Sequence, residues 1–182
     1  MAEPLVTSQS APTRLFPLSG PAGVAESLFA QALTACAQQM GLPGIEAVVD
    51  RLRNGDAVAY DACQHELAHR VAEYLSSLDR DIKAVYRYEY AWGGTGKGPR
   101  ARELGLVIHL VVVAGRRTAA LLSVLAALDR ALTQVLADWR GGQEAGQVLD
   151  VHLIDDADMR TGAGYAALLY PPHREPVPIW TR

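Results

Sequence analysis

At 182 residues, with 49% hydrophobic and 20% charged positions, the chain is long enough to bury one substantial core and too apolar to be a disordered protein. A net charge of −3 supplies no global attraction to nucleic acid or anionic membranes, so neither is favoured, and an anion would need a local basic patch. Two cysteines without a CxxC spacing, Cys36 and Cys63, read as buried reduced thiols. There is no uninterrupted apolar run of ~18 residues, and Met1–Ser10 has neither a basic nor an apolar leader pattern. Both point to a soluble, cytoplasmic protein.

Residues 1–22 carry Pro4, Pro12, Pro17 and Pro21 among small polar residues and read as an extended arm, because proline fixes φ and removes a donor. Residues 23–79 read as helical. Val24–Met40 has helical apolar spacing and stops at Gly41 and Pro43. Ile45–Arg53 is a short second helix, and Asp56 is placed to cap a third over Ala57–Leu78.

The third helix contains His65-Glu66-Leu67-Ala68-His69. Histidines at i and i+4 can share one metal ion, and this HExxH resembles the signature of zinc-dependent metallopeptidases. The resemblance implies zinc on His65 and His69, with Glu66 polarising a bound water. Helical geometry, however, places Leu67, Tyr60, Cys63, Val71, Tyr74 and Leu78 on the core face and the two histidines nearly opposite, beside Ala62 and Ala72. No strand is expected before Ile82. Arg70 stands where the signature has an uncharged residue, and Glu73 is about 12 Å in rise from His65, too far to share an ion with both histidines. The metallopeptidase is therefore the alternative reading.

Residues 80–182 read as an α/β part, with all three regions forming one domain. Ile82–Trp92 alternates as a strand, with Ile82, Ala84, Tyr86, Tyr88, Tyr90 and Trp92 on one face and Lys83, Val85, Arg87 and Glu89 on the other. The tyrosine face suits packing against helices. Gly93–Arg102 is a glycine-rich loop in which backbone N–H groups, with Thr95, Lys97, Arg100 and Arg102, offer donors and charge to an anion; no P-loop pattern is present. Leu104–Val113 is the second strand, with His109 opposite in sense to Ile108 and Leu110. Thr118–Trp139 is a helix with a stripe of Leu121, Leu122, Leu125, Leu128, Leu132, Val135 and Leu136. Val148–Asp155 is the third strand.

A long helix between the second and third strands is a crossover, so these two should be parallel neighbours. With that helix on the apolar face, Arg87, Glu89, His109, Asp150 and His152 should share the other. Ionisable groups gathered on one sheet face are costly to bury unpaired and mark a candidate cleft.

Over residues 80–180 the order strand, Gly-rich loop, strand, helix, strand resembles the minimal nucleotidyltransferase-like fold of the polymerase-β type. Gly93-Gly94-Thr95 stands at the Gly-Ser turn, Val107-Ile108-His109 at the Asp-x-Asp pair, and Leu149-Asp150-Val151 at the third carboxylate. The resemblance implies Mg²⁺-dependent nucleotidyl transfer, but valine cannot ligand magnesium and imidazole suits it poorly. What it implies here is a catalytically degenerate nucleotide- or anion-binding or regulatory module, with Mg²⁺ only weakly supported. Thr95, Lys97, Arg100, Arg102, Glu89, His109, Asp150 and His152 are then the candidate ligand-binding residues. A homo-oligomerising structural protein without ligand is a further alternative. The expected fold is α+β: a helical N-terminal part packed on a small mixed sheet with a crossover helix.

Overall fold

A computed structural model describes residues 20–88, 106–140, 146–169 and 177–182. Most of the proline-rich arm, Glu89, and the loop residues Thr95, Lys97, Arg100 and Arg102 lie outside the described residues.

The helices begin and end where local chemistry directs. Helix α1 spans Gly20–Gln39, four residues earlier at its start than apolar spacing suggests. Pro21 does not oppose this, since an N–H in the first turn would have no helical partner. Gly41 follows with φ +61°, a left-handed value that glycine adopts without a Cβ clash, and Leu42 N–H closes the end on the Ala37 carbonyl at 2.8 Å. Helix α2 is Ile45–Arg53 and α3 is Ala57–Leu78. Asp56 caps α3 as expected, its carboxylate accepting from Val58 N at 2.9 Å and Ala59 N at 3.2 Å.

Among the described residues four strands form one mixed sheet: β1 Ile82–Arg87, β2 Ile108–Ala114, β3 Leu149–Ile154 and β4 Val177–Thr181, in the order β3-β2-β1-β4. Helix α4, Ala119–Trp139, starts at Thr118, whose hydroxyl accepts from Leu121 N. It crosses from β2 to β3, and these two strands pair in parallel as the crossover requires. β1 pairs antiparallel with both β2 and β4, so the C-terminal segment closes the far edge of the sheet. A short helix α5, Asp156–Thr161, and a 3-10 segment, Gly164–Leu169, follow β3. The architecture is α+β.

One sheet face lies under the helices. Ile82, Val85, Ile108, Leu110, Val112, Leu149 and Leu153 are buried there with apolar residues of α1, α3 and α4. α3 packs on β1, β2 and β4, α4 packs on β3, and α1 packs on both of these helices. Because α3 is covered by α1 as well as by the sheet, Ala68 and Ala72 are fully buried. Ala72, which helical geometry about Leu67 places nearly opposite the core face, is thus itself in the core. On α4, Val124 is buried and Leu122 is 50% exposed, a shift at the edge of the expected stripe. An 18-residue window of this helix reaches a mean hydropathy of 1.5, so it is long and apolar enough to cross a membrane. Here its buried stripe belongs to the core, and Asp129 accepts hydrogen bonds from Val148 N and Leu149 N at the start of β3.

The second face carries a smaller core. Ala84, Val111, Val113 and Ile154 pack with Ala166, Met159, Leu168 and Leu169. The pairing of faces between β1 and β2 differs from the expectation. β1 has an irregularity between Ile82 and Ala84, after which Ala84 pairs with Val113 and Tyr86 with Val111. Tyr86 and Tyr88 thus join the face of His109, and Arg87 turns to the helices. A one-residue change of register reverses every side chain of a strand, and a bulge has that effect.

Candidate functional site

Register positions the candidate cluster. His109 on β2 and Asp150 on β3 are direct partners in the parallel ladder, so their side chains rise from the same face. His109 Nδ1 lies 2.9 Å from Asp150 Oδ2. A carboxylate only accepts, so His109 Nδ1–H donates to Asp150. Both side chains are half-buried, at 26% and 30% exposure, which keeps the pair reachable while shielding it from full solvation.

His152 follows two residues along β3 and shares the face. Its Nε2 is buried, has no hydrogen-bond partner among the described residues, and stands 3.7 Å from Asp150 Oδ1, beyond hydrogen-bonding length. Burial pushes the His152 pKa below its ordinary value; Asp150 works in the opposite direction and His109 adds to the lowering. The neutral ring is stacked on Tyr165 of the 3-10 segment, with centroids 3.4 Å apart and planes 9° from parallel. From the other side, Tyr88 N–H bonds the His109 carbonyl at 3.1 Å, extending the β1–β2 pairing. The Tyr88 hydroxyl donates to Asp150 Oδ2 at 3.5 Å, and its ring lies 5.5 Å from His109 and 5.6 Å from His152.

The structure therefore brings together His109, Asp150 and His152 and adds Tyr88 and Tyr165. Tyr88 was expected in the tyrosine stripe that packs on helices, and Tyr165 was not among the candidate site residues. Strand alternation already separated Tyr88 from Arg87, but no local signal says which face of β1 meets His109. Arg87 does not join the cluster. Its Nη2 is 3.1 Å from Asp61 Oδ1 and its Nη1 is 3.3 Å from His65 Nδ1, both on α3.

The cluster combines an oriented imidazole, a carboxylate, a second, largely buried imidazole and the phenols of Tyr88 and Tyr165. It can accept protons or hydrogen bonds from a ligand hydroxyl or amine. It does not fit Mg²⁺: Asp150 is its one carboxylate among the described residues, and Oδ2 is engaged by His109 and Tyr88. Zinc at the HExxH fits no better. Guanidinium only donates, so the Arg87 contact makes His65 Nδ1 an acceptor already in use. Glu66 is buried away from this role, accepting from Gln39 Nε2 at 2.6 Å with Arg70 at 3.8 Å. The His65 and His69 rings meet edge to face at 4.6 Å, and burial lowers the His69 pKa. Among the described residues no group of three or more His, Cys, Asp and Glu side chains is placed to hold a metal.

No protein-family model, curated protein or solved structure matches this chain.

Proposed function

We propose that this chain is a nucleotidyltransferase-like protein without transfer chemistry, a cytoplasmic binding or regulatory module for a nucleotide or similar phosphorylated small molecule. The observation that carries the reading is that the described chain stops at Tyr88, whose N–H bonds the His109 carbonyl, and resumes at Leu106, three residues before His109, with the basic, glycine-rich stretch Gly93–Arg102 between them in sequence. The antiparallel β1–β2 pair, the α4 crossover and parallel β3 also support it, being the order the resemblance implies.

A nucleotide suits such a site because it has two chemically distinct ends. Lys97, Arg100 and Arg102, with backbone N–H groups of the glycines and Thr95, supply cationic donors for phosphate oxygens. His109, Asp150 and His152 supply acceptors for the hydroxyl and amino groups of a sugar or base. A carboxylate alone would repel phosphate, so the two ends need these two different surroundings.

Thermal denaturation with each common ribonucleoside triphosphate, followed by calorimetric titration, tests the reading. Stabilisation of the parent protein by at least one nucleotide, and its loss in the Lys97→Ala/Arg100→Ala double variant, is expected. Failure of every nucleotide to stabilise the parent protein would overturn it.

A further inference from the structure

On the helix-covered side of the sheet, away from His109, a cleft of about 410 Å³ opens where α2 ends, α3 begins and α4 ends beside Leu106. This volume lies within the range of about 300–1,000 Å³ usual for small-molecule sites. Its floor is apolar: Leu106, Leu136 and Tyr60 line it and are buried, at 2%, 7% and 6% exposure. Trp139 forms a wall, its ring braced by Phe29 at 5.6 Å.

Among the described residues the polar lining is cationic or neutral: Arg53 and Arg140 are the charged ones, and none is a carboxylate. Arg140 donates from Nη2 to the neutral phenol of Tyr60 at 3.1 Å, and no salt bridge joins it to a carboxylate among the described residues. Arg53 donates from Nη2 to the Trp139 carbonyl at 3.0 Å. Its one ion pair among the described residues, with Asp50 at 3.6 Å, is between side chains 56% and 70% exposed and is largely screened by water. A guanidinium carries five N–H groups, so both arginines keep donors for a ligand. Capping α4 explains one contact of Arg53. It does not explain two guanidiniums set over an open apolar floor.

We propose that this cleft binds an amphipathic monocarboxylate, an acyl or aryl acid whose apolar body rests on Leu106, Leu136 and Trp139. Its carboxylate meets Arg140 and Arg53, in the paired N–H to oxygen geometry that guanidinium favours. A polyphosphate is a poorer match, because two partly engaged guanidiniums cannot neutralise several charges and the apolar floor would stay uncovered. The site is separate from the His109–Asp150 cluster and does not depend on nucleotide binding there.

Calorimetric titration of the full chain with octanoate and with 1-naphthoate, against octanol as the neutral control, tests the proposal. Saturable binding of an acid at least about tenfold tighter than octanol is expected, as charge-assisted hydrogen bonds require. Arg140→Gln, which keeps a hydrogen-bond donor toward Tyr60, should weaken acid binding about tenfold with little change in melting temperature; Arg53→Gln should weaken it in the same direction. The Lys97→Ala/Arg100→Ala variant should bind the acid unchanged. Absence of acid binding, equal affinity for octanol, full affinity in a folded Arg140→Gln variant, or loss of acid binding in the loop variant would each overturn the proposal.

Discussion

His109 and Asp150 stand opposite each other on parallel neighbours β2 and β3, and the imidazole Nδ1 lies 2.9 Å from the carboxylate Oδ2. Neighbouring strands, separated in sequence by the whole of α4, hold these two groups in one orientation. A ring held this way keeps one defined orientation, which a freely turning surface histidine does not.

Removing the carboxylate should therefore change the proton's position on the ring. In the Asp150→Ala variant the neutral His109 ring loses the acceptor that holds its proton on Nδ1. Long-range nitrogen-15 NMR should show the Nδ1–H tautomer in the parent protein and a shift toward the Nε2–H form in the variant. Urea denaturation should show a loss of about 1–3 kcal/mol, the usual cost of removing one partner of a part-buried hydrogen bond. An unchanged tautomer would contradict the pairing.

Stability should depend on pH through His152. Burial holds its folded-state pKa below the ordinary 6.5, so the unfolded chain binds more protons in the window beneath that value. The contribution is present above 6.5 and is lost as pH falls through the lower folded value. His69 is shifted the same way and adds to the slope. Asp155, lowered from 3.8 chiefly by the Asp158 backbone N–H, acts in a separate and more acidic window. Urea midpoints measured from about pH 7.5 to about pH 5 should fall, and His152→Phe, which keeps an aromatic ring against Tyr165, should flatten the dependence. An equally steep profile in that variant would remove His152 from the account.

Two leucines on α4 should differ sharply. Leu128 is fully buried and Leu122 is 50% exposed. Leu128→Ala should cost about 2–5 kcal/mol through lost transfer energy and the cavity left behind. Leu122→Ala should stay within about 0.5 kcal/mol. Chemical denaturation of the two variants distinguishes the observed face from the stripe that places Leu122 inside.

Much of the local structure is legible in the order of residues. Asp56 and Thr118 announce the starts of α3 and α4, because a side-chain acceptor beside an apolar period satisfies orphan N–H groups. The length of the segment between β2 and β3 requires a crossover and hence parallel pairing. From that pairing, the common face of His109, Asp150 and His152 follows by alternation alone. These are consequences of short-range geometry, and short-range geometry is written in the chain.

Only the tertiary structure decided what stands beside them. The irregularity between Ile82 and Ala84 and the pairing of Tyr86 with Val111 turned Tyr88 toward His109 and Arg87 toward His65. Tyr165 reached His152 because the segment after β3 folds back over the sheet, and the cleft between Arg53 and Arg140 exists because the ends of three helices meet. Alternation says which side chains share a face, but it carries no information on which face meets which across a pair of strands. That choice is made by long-range pairing and packing, where a shift of one residue exchanges the two faces.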